Sequence, residues 1–310
     1  MKYRKRFDPN PTQVFEASSA STFADRRDGS IYIYTDEIVL AVNVALATGR
    51  PLLVRGPSGC GKSTLARNVA RWLGRRYYEQ VISSRTQARD LLWEMDLLRR
   101  LQDAQAGSLA PDNARYVRPG ILWWAFDRRS AAAQVRRAGA SEDSAGSEAS
   151  AEETAVVLLD EIDKADPDVP NNLLVPLGSL TFRVDETGDQ ISALVAPLVL
   201  ITTNDERDLP PAFVRRCVEL RLPAPTKDQL VTIGRAHMPE AGSKLLDGVA
   251  AVLASSDSAA GPNPPSTAEY LDTVRACLSM GVDPGSDLFD TLSKVTLWKH
   301  GRGFRGRAAS

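Results

Sequence analysis

Gly56, Gly61, Lys62 and Ser63 stand at the spacing G-x-x-x-x-G-K-[ST], and the chemistry that this spacing suits is the grip of a phosphate chain. Across Gly56-Pro57-Ser58-Gly59-Cys60-Gly61-Lys62-Ser63-Thr64 the three glycines let the backbone turn its N–H groups inward around phosphate oxygens, a path that a Cβ would obstruct. Lys62 has the length to reach β- and γ-phosphates as a point charge, and Ser63 offers a hydroxyl to Mg²⁺. What flanks the run gives it weight. The apolar stretch 51–55 (PLLVR) predicts a buried strand feeding the loop, and 65–73 (LARNVARWL) carries apolar residues at helical spacing. A helix starting there adds the positive end of its dipole to the same place. A plain glycine-rich turn has no use for Lys-Ser at its end.

Carboxylates for such a site come about a hundred residues later, in Val156-Val157-Leu158-Leu159-Asp160-Glu161, with Asp163 just beyond. An apolar strand that ends in Asp-Glu means little alone. Downstream of a phosphate loop it is the Walker B arrangement: Asp160 holds Mg²⁺, and Glu161 orients and deprotonates the attacking water. A further apolar run, 198–203, predicts another buried strand ending at Asn204. An amide there either bonds the γ-phosphate or the attacking water, or simply forms a turn. Arg215 and Arg216 follow in a short helix, either as solvated surface or as the cation still missing for charge neutralisation at the γ-phosphate.

The elements needed to position these groups are legible as alternation. Strands are expected at 31–34, 51–55, 77–83, 156–160, 198–203 and 218–222, with a hairpin joining 180–184 to 191–195 through Asp185-Glu-Thr-Gly-Asp189. Helices are expected after Thr35, after the phosphate loop, and over 86–106, where leucines recur at helical spacing. Trp123 and Trp124 read as core rather than as a binding platform. From 226 onward the pattern is helical: 227–237, 243–254, 266–280 and 287–300, broken by Gly and Pro.

The chain divides accordingly into a flexible arm (1–30), a nucleotide-binding α/β domain (31–224), a helical lid (225–300) and a basic tail (301–310). Residues 138–155 change abruptly to Ala, Ser, Gly and Glu, the composition of a flexible acidic insertion. A net charge of −1 points to neither nucleic acid nor membrane, and no apolar stretch is long enough to span a bilayer. Three scattered cysteines suit a reducing cytoplasm, and the basic start has no apolar run after it, which reads against a signal peptide.

The ordered set of phosphate loop, Asp160-Glu161, Asn204 and Arg215-Arg216, followed by a helical lid, resembles an AAA+ ATPase over residues 31–298. Within that class RPLLVRGPSGCGKSTLA, LLDEIDKADPDVPNNLL, the hairpin with ETG, and ITTNDERDLPPAFVRRC look most like the MoxR branch and its relatives in bacterial conflict systems. The resemblance implies a parallel five-stranded sheet of order 5-1-4-3-2 flanked by helices, then a small all-α lid. It also implies ATP and Mg²⁺ as ligands and a homo-oligomeric ring, six-membered in the family. Asn204 would be sensor 1 and Arg216 the arginine finger, with Arg215 the second candidate. The partner would be a protein, often one with a von Willebrand A domain. One departure stands out: where many relatives carry a sensor 2 arginine this chain has Ala268, so either Arg275 substitutes for it or the lid senses nucleotide weakly.

Three functions compete at this point. The leading one is an ATP-driven remodeller of a protein partner. A nucleic-acid-dependent or restriction-type NTPase, with GTP as an alternative substrate, draws support from the basic ends, while the neutral balance and the lack of a basic stripe count against it. A slow nucleotide-gated assembly switch draws on the missing sensor 2 arginine.

Overall fold

In the computed structural model the described residues are 4–10, 12–15, 30–139, 154–255 and 266–297. Strands β1 (Thr12–Val14) and β2 (Ile31–Ile33) pair antiparallel ahead of helix α1 (Asp36–Thr48). Thr35 caps α1 by accepting from the Ile38 N–H, and left-handed Gly49 closes it. Next come β3 (Leu52–Arg55), α2 (Lys62–Leu73) and β4 (Arg76–Val81). The middle of the chain supplies β5 (Trp93–Met95), α3 (Leu97–Gln105), β6 (Val117–Pro119), α4 (Ile121–Phe126), α5 (Arg128–Arg137) and β7 (Ala155–Asp160). Helices α6 (Asp168–Asn172) and α7 (Leu174–Ser179) lead into the hairpin β8 (Thr181–Arg183) and β9 (Gln190–Ser192). Then follow β10 (Leu198–Thr203), α8 (Pro211–Val214) and β11 (Val218–Arg221). Helices α9 (Lys227–His237), α10 (Ser243–Ser255), α11 (Thr267–Met280) and α12 (Asp287–Leu297) complete the described chain.

The central sheet has the order β11-β3-β10-β7-β4, all parallel, which is the expected 5-1-4-3-2. Its inner strands are apolar until their C-terminal ends, where Arg55, Asp160 and Thr202-Thr203 stand, because both faces are covered. Alternation sends Leu53, Val157, Leu159, Val199 and Ile201 to one face, with Leu122, Trp123, Phe182 and Phe213. Leu52, Val54, Val156, Leu158 and Leu200 go to the other, under α1 and α2. A third core, built on Leu246, Val249, Tyr270 and Val274, lies within α9–α12. Capping boxes at Thr226–Gln229 and Ser266–Glu269 start α9 and α11. Trp123 is buried and donates its indole N–H to Ser130 Oγ at 2.7 Å, while Trp124 packs against the same core.

Two expectations need correction. The helix over 86–106 is a 3₁₀ turn (Arg89–Leu91), strand β5 and the shorter α3. Leu91, Leu92 and Trp93 are all buried in succession, which one helical face cannot present, and β5 instead pairs with β6 in the register Trp93–Pro119. Gly120 makes this possible: its N–H donates to Leu92 O at 2.9 Å, and a Cβ there would meet Asp90 O at 2.5 Å. The leucines expected to face the core from α3 face outward, Leu98 at 67% exposure.

The second correction is to the N-terminal arm. Phe7 is fully buried, edge-on to Tyr34 at 5.3 Å and to Trp72 at 4.9 Å. Asn43 Oδ1 accepts the Arg6 and Phe7 N–H groups at 2.7 and 3.0 Å, and its Nδ2 returns a bond to Phe7 O at 2.6 Å. Residues around position 7 are therefore held by an aromatic plug and an amide that mimics a β-bridge, a signal hidden in a short polar segment. Most of the arm, residues 140–153 of the acidic insertion and the tail 301–310 lie outside the described residues. Among the described residues no helix is long and apolar enough to cross a membrane.

Candidate functional site

Three neighbouring parallel strands, β3, β10 and β7, bring their C-terminal ends to one edge of the sheet. The loop 56–61 leaves β3 there with Gly56, Gly59 and Gly61 at positive φ, of 155°, 71° and 95°. At two of these, side chains are excluded by close approach: a Cβ on Gly56 would lie 2.3 Å from Leu222 O, and one on Gly59 would lie 2.3 Å from the Ser266 Cβ. Pro57, Ser58 and Cys60 fill the turn, and Thr64 sits in the first turn of α2. Cys60 is half-buried, and burial raises its thiol pKa.

Lys62 opens α2, and its side chain is 6% exposed. Its Nζ donates to Gly56 O and Pro57 O at 2.8 Å each and to Asn204 Oδ1 at 2.7 Å. All three acceptors are uncharged, so this is a buried cation that pairs with no carboxylate among the described residues, an arrangement that favours an anion as ligand. Ser63 Oγ donates to Asp160, 2.9 and 3.0 Å from its two carboxylate oxygens. Thr202 Oγ1 donates to Asp160 Oδ1 at 2.5 Å and accepts the Glu161 N–H at 2.8 Å. A buried carboxylate beside two hydroxyls is a hard, all-oxygen donor set of the kind Mg²⁺ prefers.

Glu161 has φ 62° and ψ 49°, left-handed values uncommon for a non-glycine residue. Its carboxylate accepts from Lys164 Nζ at 2.7 Å, and that hydrogen bond raises the Lys164 pKa above its usual value. Asp163 is 3% exposed, and its Oδ2 accepts the Asn204 and Glu206 N–H groups at 3.2 and 3.1 Å. It therefore anchors the turn that presents Asn204.

Arg215 and Arg216 are not part of this cluster. The Val218 N–H donates to Pro51 O at 2.8 Å, so both arginines precede β11 at the sheet edge where β3 begins. The four residues of β3, roughly 10–13 Å of strand, separate that edge from the phosphate loop. Both side chains are exposed. Arg275 pairs with Asp272 at 3.2 Å, and Ser266, at the start of α11, is what meets Gly59. Thr202, Lys164 and Ser266 went unnoticed as site residues in the sequence. Only Thr202 left a trace there, as one of two hydroxyls ending an otherwise apolar strand.

Residues 51–217, more than half of the chain, match the model of the AAA domain in its dynein-related subfamily. The chain belongs to that family of AAA+ ATPases. The midasin of Giardia intestinalis is 38% identical over 82 residues, which are 24% of this chain and 2% of that protein. The Thermotoga maritima RuvB Holliday junction branch migration motor is 14% identical, with a TM-score of 0.46 over 84% of this chain and 67% of that one. A point mutant of the same RuvB gives 15% and 0.47, covering 84% of this chain and 68% of the other.

Proposed function

We propose that this AAA+ protein is a Mg·ATP-hydrolysing ATPase of the MoxR branch, acting as a homo-oligomeric ring, six-membered by resemblance, that remodels a protein partner carrying a von Willebrand A domain. The observation that carries the reading is the separation of its charges. Lys62, Ser63, Asp160 and Asn204 converge on one sheet edge, while Arg215 and Arg216 stand on the opposite one. An arginine that cannot reach its own phosphate loop is suited to serve a neighbour's, and a heterologous contact that closes on itself makes a ring. In this reading residues 31–224 bind nucleotide and 225–300 form the lid, which touches the loop through Ser266. Three free cysteines suit a cytoplasmic setting.

The site's residues divide the work. Backbone N–H groups of the loop and Lys62 hold the β- and γ-phosphates, and Lys62 exchanges its carbonyl partners for them. Ser63 and Asp160 would hold Mg²⁺, which when bound neutralises charge on the phosphate oxygens. Asn204, tied to Lys62, orients the γ-phosphate or the attacking water. Glu161, once released by Lys164, takes a proton from that water as its oxygen bonds to the γ-phosphorus and the bond to ADP breaks. Arg216 of the adjoining subunit, or Arg215 in its place, stabilises the charge that develops.

Lys62→Ala is expected to weaken ATP binding by roughly tenfold or more, since a hydrogen bond to a charged group contributes about 1.5–3 kcal/mol. Calorimetric titration with ATP checks this, and a wild-type Kd would overturn the role of the loop. The ring is tested by dilution: hydrolysis per subunit should fall as the oligomer dissociates, whereas constant activity down to monomer by sedimentation would refute a shared site. Repeating the assay with DNA, RNA and GTP tests the nucleic-acid-dependent alternative, which predicts stimulation that this reading does not. The engagement of Arg275 by Asp272 favours, as a second reading, a slow nucleotide-gated assembly switch. Turnover near the unstimulated GTPase scale, on the order of 10⁻⁴ s⁻¹, would support it.

A further inference from the structure

Arg50, the residue two before β3, is the side chain that holds the Arg215-Arg216 segment in place. Its Nε donates to Arg216 O at 3.0 Å, and its Nη2 donates to Arg215 O. The two carbonyls belong to consecutive residues, so one planar guanidinium grips the backbone of both arginines at once. That suits arginine, whose donors sit in a rigid fork, and a lysine reproduces it poorly. Buried Phe213 and Cys217 anchor the segment on either side, and the Arg50 fork adds a grip on the two arginines between them. The segment's helix is the four-residue α8, and the Arg215 and Arg216 N–H groups return only to Pro211 O and Phe213 O at 3.1 and 3.0 Å.

The charge pattern shows that this is more than packing. Arg50, Arg215 and Arg216 put three cations on one exposed edge, and among the described residues none of them pairs with a carboxylate. For fold stability alone, like charges gathered without a counter-ion are a cost. Beside them opens a cleft of about 260 Å³ lined by Gly49, Arg50, Leu174, Gly178, Phe213 and Arg216, so Arg50 and Arg216 border open space.

We propose that Arg50 is a positioning residue for hydrolysis in the adjoining subunit: its fork fixes the Arg215-Arg216 backbone so that the finger meets the neighbour's γ-phosphate in register. This rests on the trans-acting reading of Arg216 given above. Arg50 touches neither the phosphates nor the water. It acts through the position of the finger, and a misplacement of about 1 Å costs a reaction up to roughly 10²-fold.

The test is a double-mutant cycle on kcat, with the ATP Kd measured alongside. Arg50→Ala should lower kcat by roughly 10- to 100-fold at unchanged Kd, because its own phosphate loop lies at the far edge of the sheet. Arg50→Ala combined with Arg216→Ala should be no slower than Arg216→Ala alone, since a clamp has nothing left to position. Should Arg50→Ala fold poorly, Arg50→Lys serves, keeping the charge and losing the fork, with reduced kcat and wild-type Kd expected. Wild-type hydrolysis by Arg50→Ala beside a slow Arg216→Ala overturns the clamp alone. So do losses that multiply in the double variant, or an Arg50→Ala that binds ATP weakly. Wild-type hydrolysis by Arg216→Ala is a different result: it removes the trans-acting reading on which the clamp depends.

Discussion

Arg216→Ala is expected to bind Mg·ATP with wild-type affinity and to hydrolyse it about 10³-fold more slowly or worse, the scale on which such arginines act in related phosphoryl transfers. Binding is spared because Arg216 stands at the edge where β3 begins, whereas Lys62, Ser63 and Asn204 stand at the edge where it ends. Hydrolysis is lost because charge shifts toward the leaving oxygen in the transition state, and a cation whose contact strengthens only there contributes to rate without contributing to affinity. Mixing it with Glu161→Gln provides a second readout. In a randomly assembled ring about a quarter of interfaces would set an intact Glu161 beside an intact Arg216, so activity should partly return. Wild-type turnover by Arg216→Ala alone, at saturating ATP, would pass the role to Arg215 or abolish it.

Glu161→Gln is expected to keep Mg·ATP and to turn it over at least roughly a hundredfold more slowly, because the amide keeps the shape of the carboxylate and loses its basicity. The structure adds a constraint. Glu161 sits in a left-handed backbone conformation, held by its N–H to Thr202, and its carboxylate lies on Lys164. The amide makes a weaker bond to Lys164 than the carboxylate does, so a shifted side chain competes with lost basicity as the cause of the fall in kcat. Single-turnover hydrolysis measured against ATP Kd separates the two. Asp163, the other carboxylate of the strand end, is buried and bonded to the Asn204 and Glu206 N–H groups, which suits it to holding a turn and not to accepting a proton from water. A normally active Glu161→Gln would nonetheless reopen Asp163 as the base.

Much of this site was legible without coordinates because its motifs are local. A phosphate loop needs a strand, two glycines at set positions and a helix start within a dozen or so residues, and 51–65 supplies all of them in order. An apolar strand that ends in Asp160-Glu161 is likewise readable, since burial on both faces of a parallel sheet dictates an unbroken apolar run. The alternation of strands and helices set the fold class, and the resemblance supplied the strand order that the sheet adopts.

What the sequence could not settle depends on neighbours far apart in the chain. Lys62 and Asn204 are 142 positions apart, and they meet because β10 inserts between β3 and β7. The same insertion sets Thr202 between Asp160 and Glu161. In the sequence Asn204 was equally a turn former; only the parallel register of β10 on β3 turns its amide toward the lysine. Helical spacing over 86–106 was misleading because Trp93 pairs with Pro119, a partner beyond any local window, and the tight approach at Gly120 outweighs helix propensity. Phe7 looked like part of a loose arm until Tyr34, Trp72 and Asn43 were brought around it. Residue types and short spacings by themselves thus carried the expectation that this chain grips a phosphate chain. Strand order and register decided which atoms face one another, and they set the arginines on the opposite edge, because a parallel strand must begin where its neighbour begins.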